Sequence, residues 1–382
     1  MKRTNSLDGV RGAAVLCVVL FHFLPREGTG FLGVISSFGW IGVDIFFVLS
    51  GFLITNILYE NKGAEKYFSN FYARRMLRLF PLYYFLFLGL LLLTPLLHIQ
   101  WRSGHLAMLF YGANLVLPFN TSLGTIGPFD LFHVWSLAVE EQFYLIWPWL
   151  VGSQMKRGAL RNLCIVGIFI APLLRLLMLR ANVQPWLIYQ SLPTRMDSLL
   201  FGAVLALIPL PSLRMARISG IVALVVFGLL IWRGHSVFFL SRSMQGMGYS
   251  ALALLSSSVL VLCFYPATII HRICSWRMLR FYGKYSYGLY LWHYFFSVQF
   301  GGLTTWIEAH IPVRLVASLL SFGLILMIST GIAVFSYLLI EKPFLRLKRR
   351  FEYYDAAADL GRNFEDGKPV MRSWRQRHAS TE

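Results

Sequence analysis

Acidic residues are scarce in this chain. Its 382 residues include 17 Asp and Glu against 35 Lys and Arg, and charged residues of both signs make up only 14%. With 57% hydrophobic residues and a mean hydropathy of +0.61, there is too little charge to cover a water-facing surface, which excludes an ordinary soluble globular fold. Cysteine is sparse too. Cys17, Cys164, Cys263 and Cys274 show no CxxC or paired spacing, and three of them lie in apolar runs, where a thiol acts as a small hydrophobe. Neither a disulfide framework nor a metal site is indicated. No small-x-small cleavage site follows the first apolar stretch, and that stretch carries Arg11 and His22, so it reads as a retained helix rather than a removable leader. No internal repeat and no second globular domain is visible.

What the chain does have is long apolar runs, 16% aromatic residues and 31 glycines, a composition that suits close helix contact and interfacial rings. Runs near 20 residues cross the hydrocarbon core as helix. Ten fall roughly at 8–25, 38–59, 79–97, 131–151, 161–180, 192–211, 218–234, 248–270, 281–300 and 313–340. The stretch 105–119 is too short and interrupted to span and reads as re-entrant or interfacial. The formal charge of +18 does not point to nucleic acid, because the basic residues sit between apolar runs and act as a topology signal. With the N-terminus inside, the inner segments carry 20 Lys and Arg and the outer ones six, so both termini are expected in the cytoplasm. The expectation is an all-α polytopic membrane protein of about ten transmembrane helices, with a membrane domain at 1–345 and a polar cytoplasmic tail at 346–382.

Ionisable residues inside such spans cost about 2.5 to 3.5 kcal/mol each on insertion scales, which makes them functional candidates. Arg11 and His22 are eleven residues apart, hence on one helix face and about 16 Å apart. The alternative for either residue alone is snorkelling from its helix end. Arg74, Arg75 and Arg78 stand at the entrance of the third span, where the spacing puts two guanidiniums on one face. That fork suits a phosphate, although a plain positive-inside anchor has the same composition. Glu140 and Glu141 lie near mid-membrane and point about 100° apart, so both cannot face one site. One of them could be a counter-ion for Arg11, Arg175 or Arg195. Asp44, Asp197, His22, His133 and His293 fall in the outer half, and their convergence is a matter for the fold.

Seven segments then occur in order: SLDGVRGAAVLCVVLFHF, GVDIFFVLSGFLIT, FYARRMLRLFPLYY, HVWSLAVEEQFYLIWP, SLPTRMDSLLFGAVLA, YSYGLYLWH and IEKPF. Together they strongly resemble the integral-membrane acyltransferase 3 family, bacterial O-acyltransferases that modify surface polysaccharides, glycolipids, peptidoglycan and some macrolides. The resemblance runs from Ser6 to Phe344. It implies that Arg11 and His22 match the family's basic residue and histidine, that Arg75 and Arg78 match its RxxR motif, and that Trp135 to Glu141 match its WSLxxEE motif. Many members append an SGNH-type hydrolase domain, whereas the tail after Phe344 is too short for one, so the resemblance is to the stand-alone type. That leaves room for a partner protein on the outside.

The implied activity is transfer of an acyl group, acetyl by preference, from cytoplasmic acyl-CoA to a hydroxyl of a glycan or glycolipid at the outer side of the bacterial inner membrane. Arg75 and Arg78, with Arg74, would hold the CoA phosphates. His22 would act as general base or transient acyl carrier, with Arg11, Asp44, Glu140 and Glu141 completing the catalytic set and a carboxylate orienting the ring. His133, Trp135, Asp197 and His293 are expected to bind substrate. No permanently bound cofactor or metal is implied. The rival from another class is a proton-coupled transporter, which also buries His, Asp, Glu and Arg. Against it stand the absence of matched inverted repeats and the position of the arginine fork at the surface rather than the midplane.

Overall fold

The computed structural model describes residues 5–26 and 30–351. Of the tail expected at 346–382, only the stretch to Phe351 falls within the described residues, where it closes the last helix as a turn of 3-10 helix, Lys348–Phe351. Lys2 and Arg3 also lie outside them. The described chain is almost entirely helical. Its one strand pair is a two-residue hairpin, Thr125–Ile126 against Phe129–Asp130.

The principal helices are α1 (Asn5–Phe23), α2 (Ile41–Glu60), α3 (Tyr67–Leu97), α4 (Trp135–Gly152), α5 (Arg157–Arg180) and α6 (Leu192–Leu207). They continue as α7 (Leu213–Gly234), α8 (Tyr249–Leu262), α9 (Arg277–Lys284), α10 (Ser286–Phe295), α11 (Ser297–His310) and α12 (Arg314–Ser336). Among the described residues, seven helices are long and apolar enough to cross a membrane: α1, α2, α3, α5, α7, the helix Met244–Leu262 that ends in α8, and the one that begins with α12. Three expected spans take other forms. At 131–151 and 192–211 stand α4 and α6, which carry Glu140, Glu141, Arg195 and Asp197; α6 is largely buried, where full apolarity is not needed, while α4 turns Leu145, Ile146 and Trp149 outward. At 281–300 there is no single helix. Tyr285 and Phe296 leave helical geometry, so α9, α10 and α11 follow one another as short pieces. The segment 105–119 forms two short helices, Ser103–Leu109 and Ala113–Val116, neither long enough to span.

The molecule is apolar outside and charged inside, the pattern that lipid solvation imposes. Leu92, Leu96, Phe169, Ile221 and Phe335 are exposed, while Asp44, Arg175, Arg195 and Asp197 are fully buried. Helix α7 shows how little of an outer helix faces inward. Its buried residues are Ala216, Gly220, Ala223 and Phe227, a stripe of three small side chains and one aromatic ring that seats it on α8, where the Ser219 and Ser258 hydroxyls are 2.9 Å apart.

Two close crossings position the site. A Cβ on Gly202 of α6 would lie 1.9 Å from the Val48 carbonyl oxygen of α2, so these backbones meet only because the residue is glycine. A Cβ on Gly12 would lie 1.9 Å from the Leu279 carbonyl oxygen, which pins α1 against α9 and fixes the heights of Arg11 and His22.

Candidate active site

Three histidines from distant parts of the chain converge at one end of the bundle. His22 lies in the last turn of α1, His133 in the 3-10 turn Phe132–Val134 before α4, and His293 in α10. The His22 and His293 ring centroids are 5.1 Å apart and those of His133 and His293 5.3 Å apart. His22 Nδ1 lies 3.2 Å from His293 Nε2, and His293 Nδ1 lies 2.6 Å from the Tyr290 carbonyl oxygen and 3.1 Å from that of Leu289.

These contacts fix the tautomers. A carbonyl can only accept, so His293 Nδ1 carries the hydrogen and its Nε2, in the neutral ring, offers a lone pair. His22 Nδ1 must then donate to that lone pair, which leaves His22 Nε2 as an unprotonated base. His133 is buried beside them, and among the described residues neither of its ring nitrogens has a hydrogen-bond partner. A buried polar ring left unsatisfied beside a cavity is a place for a ligand or water. The Tyr294 ring packs 4.5 Å from His22 and 5.3 Å from His133. Nearby on the hairpin, burial pushes the Asp130 carboxyl up to about 6.

A chain of cavities leads away from this cluster in both directions. His22, His133, Tyr294, Trp40, Trp186 and Phe239 help to line a chamber of about 370 Å³. His22, Arg26 and Tyr294 also border an open mouth of about 640 Å³. Toward the opposite end, Val43 and Tyr290 separate the chamber from a small cavity of about 90 Å³ that holds Arg11, Arg75, Arg78, Glu140 and Tyr144. Arg11, Arg75, Arg78 and Tyr144 recur in a further cavity of about 230 Å³, joined there by Arg74 and Lys348. The Tyr290 hydroxyl donates to the His133 carbonyl at 2.9 Å and meets Ser136 Oγ, which holds the partition in place.

The basic end gathers four arginines and Lys348 from three parts of the chain, and burial beside those arginines lowers the Lys348 ammonium to about 6. Arg75 stacks over the Tyr144 ring, its Cζ 5.4 Å from the centroid, and Arg11 Nη1 reaches Asp8 at 3.2 Å. Arg74 donates to the Phe351 carbonyl at 3.4 Å. Glu140 faces the small cavity and accepts from Ser50 Oγ at 2.7 Å and from the Tyr144 hydroxyl at 3.2 Å. Glu141 points elsewhere, and its Oε1 is buried without a hydrogen-bond partner among the described residues.

The remaining candidates lie apart from the histidines or take other partners. Asp44 Oδ1 pairs with Arg195 Nη2 at 2.8 Å and accepts from Ser198 Oγ at 3.0 Å. Of the two carboxylates expected to orient His22, Asp44 is thus held in an ion pair and Glu140 lines the small basic cavity; the ring nitrogen that meets His22 Nδ1 belongs to His293. Asp197 pairs with Arg175 at 2.9 Å and accepts from Ser250 at 2.6 Å, so its bonds are structural rather than made to a cavity. The counter-ions of Arg175 and Arg195 are therefore these aspartates, not the two glutamates. Trp135 lines the outer chamber and packs 4.6 Å from Tyr189. Sequence reasoning passed over Tyr290, Tyr294, Ser50, Tyr144, Arg26 and Lys348. Tyr144 had a signal, standing one turn after Glu140; Lys348 was hidden among other tail-proximal cations. Among the described residues, no group of His, Cys, Asp or Glu has the geometry to hold a metal ion.

Comparison with known proteins adds the chemistry. The acyltransferase domain family matches residues 4–338. A putative peptidoglycan O-acetyltransferase of Bacillus subtilis is 31% identical over 366 residues, covering 88% of this chain and 54% of that protein. A peptidoglycan O-acetyltransferase of Listeria monocytogenes is 32% identical over 330 residues, covering 77% and 50%, and an O-acetyltransferase of Staphylococcus aureus 29% over 360, covering 88% and 56%. The chain thus spans about half the length of these curated relatives. No solved structure matches it.

Proposed function

The chain belongs to the acyltransferase domain family, and on that premise we propose that it moves an acetyl group from cytoplasmic acyl-CoA to a glycan hydroxyl at the outer side of the inner membrane. The observation that carries this reading is the line of cavities from an end lined by four arginines and Lys348 to a histidine whose free nitrogen is a base. The excess of Lys and Arg in the segments at the basic end supports placing that end in the cytoplasm. There Arg74, Arg75, Arg78, Arg11 and Lys348 would take the donor's phosphates through charge-assisted bonds. Arg11 and His22 stand about 16 Å apart along α1, a distance an extended pantetheine arm covers, so the thioester can lie near His22 while the phosphates stay at the entrance. Tyr290 and Val43 must part to let the arm through.

At the histidine end, His22 Nε2 would take the proton of the acceptor hydroxyl as its oxygen attacks the thioester carbonyl. The C–S bond then breaks, and the imidazolium returns the proton to the departing CoA thiolate. If instead Nε2 itself attacks, the C–S bond breaks, CoA leaves as the thiolate and the acyl group rests on His22 until the acceptor hydroxyl takes it, its proton passing to the thiolate; a trapped acyl-histidine would distinguish the two. His293 holds the His22 tautomer in either case, the part a carboxylate plays in hydrolase triads. The relatives' names make a peptidoglycan hydroxyl the first acceptor to try.

The reading is tested with purified protein in liposomes, labelled acetyl-CoA and peptidoglycan glycan fragments. Wild type should label the fragments, and His22→Ala should lower the rate at least about 10²-fold with insertion unchanged. Near-normal labelling by His22→Ala would remove the assignment.

A further inference from the structure

We propose that the acceptor is anionic, and that Arg26 and Arg314 hold its phosphate or carboxylate in the mouth of the histidine end while a sugar hydroxyl meets His22. This deepens the acyl-transfer reading and rests on it for the identity of the reacting group. The mouth, about 640 Å³, is lined by both arginines together with His22, Tyr294, Ser297 and Thr304. No carboxylate is among the described residues that line it.

Among the described residues, neither Arg26 nor Arg314 makes an ion pair. Arg26 is held by stacking, its Cζ 4.4 Å from the Phe21 centroid, an arrangement that leaves the N–H edge of the guanidinium free for an oxyanion. An anion entering the mouth is attracted by both of these cations. The mouth is also continuous with the inner chamber through Phe21, His22, Arg26 and Tyr294.

The chamber's walls suit a sugar. Trp40, Trp186, Tyr189 and Phe239 line it, with Tyr189 and Phe239 rings 4.6 Å apart and Trp186 and Phe239 5.8 Å apart. The C–H face of a pyranose packs against such rings while its hydroxyls reach polar groups, here His22 and the unsatisfied His133. An aromatic wall, a base and a paired cation site in one continuous space select a glycosyl acceptor with a negative charge. That charge is either the carboxylate of a sugar acid or the phosphate of a carrier lipid.

The test measures binding without donor, so it does not depend on turnover. Protein in phosphatidylcholine nanodiscs is titrated calorimetrically with three probes: a neutral N-acetylglucosamine disaccharide, the same disaccharide bearing a carboxylate, and the disaccharide on a polyprenyl diphosphate. At least one charged probe should bind about ten-fold or more tighter than the neutral one. Arg26→Gln and Arg314→Gln should each erase about ten-fold of that preference and leave neutral binding unchanged, while Arg233→Gln, an outer-side arginine away from the mouth, should change nothing. Preference for the carboxylate alone identifies a sugar acid, and preference for the diphosphate alone a carrier lipid. Equal affinity for all three probes, a preference that survives both substitutions, or no binding of any probe would overturn the proposal. Labelled acetyl transfer run alongside separates the two claims: preferential binding without transfer would count against the acyltransferase reading and leave the anion site standing.

Discussion

His293 is the residue whose role the geometry defines most narrowly. It touches His22 rather than the cavity, and its own Nδ1 is tied to backbone carbonyls, so it acts through His22. His293→Ala should lower transfer by about 10²-fold, the scale of a misoriented base. It should also alter the pH profile, because His22 is then free to adopt either tautomer. His293→Gln, whose side-chain oxygen can still accept from His22 Nδ1, should recover part of the rate. A pH profile identical to wild type in His293→Ala would contradict the positioning role. At the other end, Arg75→Gln and Arg78→Gln should each weaken acyl-CoA binding by roughly 1.5 to 3 kcal/mol. Equal substitutions at Arg214 and Arg217, outside the cavities, should leave it unchanged. Titration calorimetry that finds the same loss at both places would make the fork an ordinary anchor. At this scale the sequence was informative about spacing within one helix and silent about space between helices. Arg11 and His22 could be placed on one face from periodicity alone, whereas the meeting of His22, His133 and His293 depends on three segments more than a hundred residues apart.

The interior helices explain both the success and the failure of the hydropathy reading. Apolar runs located α2, α5 and α7 to within a few residues: α5 and α7 turn long apolar faces outward, as lipid requires, while α2 is apolar because it packs among other helices. They placed α4 and α6 as closely, missed the breaks of the α9–α11 stretch at Tyr285 and Phe296, and were silent on how the largely buried α6 accommodates its charges. The ion pairs of α6 show the consequence. Arg195 and Arg175 cross-link α6 to α2 and α5 through Asp44 and Asp197, and removing one partner leaves the other charge buried and unpaired. Asp44→Asn should therefore destabilise the folded protein by about 3 to 5 kcal/mol, read as a lower melting temperature in detergent. The double change Asp44→Leu with Arg195→Met should recover much of the loss, since it removes both charges. A single variant as stable as wild type would show that this pair is not what holds α2 to α6.

The whole molecule joins two unlike ends through one interior path. The basic end gathers Arg11, Arg74, Arg75, Arg78 and Lys348, the other end three histidines and two arginines, and Tyr290 and Val43 stand between them. That separation is why donor and acceptor are assigned to opposite faces of the membrane, and it sets the account apart from a cytoplasmic acyltransferase or a transporter. The most direct test uses vesicles of known orientation, with labelled acetyl-CoA supplied only on the side of the basic end and glycan acceptor confined to the other. The account predicts labelled acceptor on the histidine side and free CoA released on the side where the donor was added. Transfer only when both substrates share the basic side, or passage of unmodified acceptor across the membrane, would contradict it.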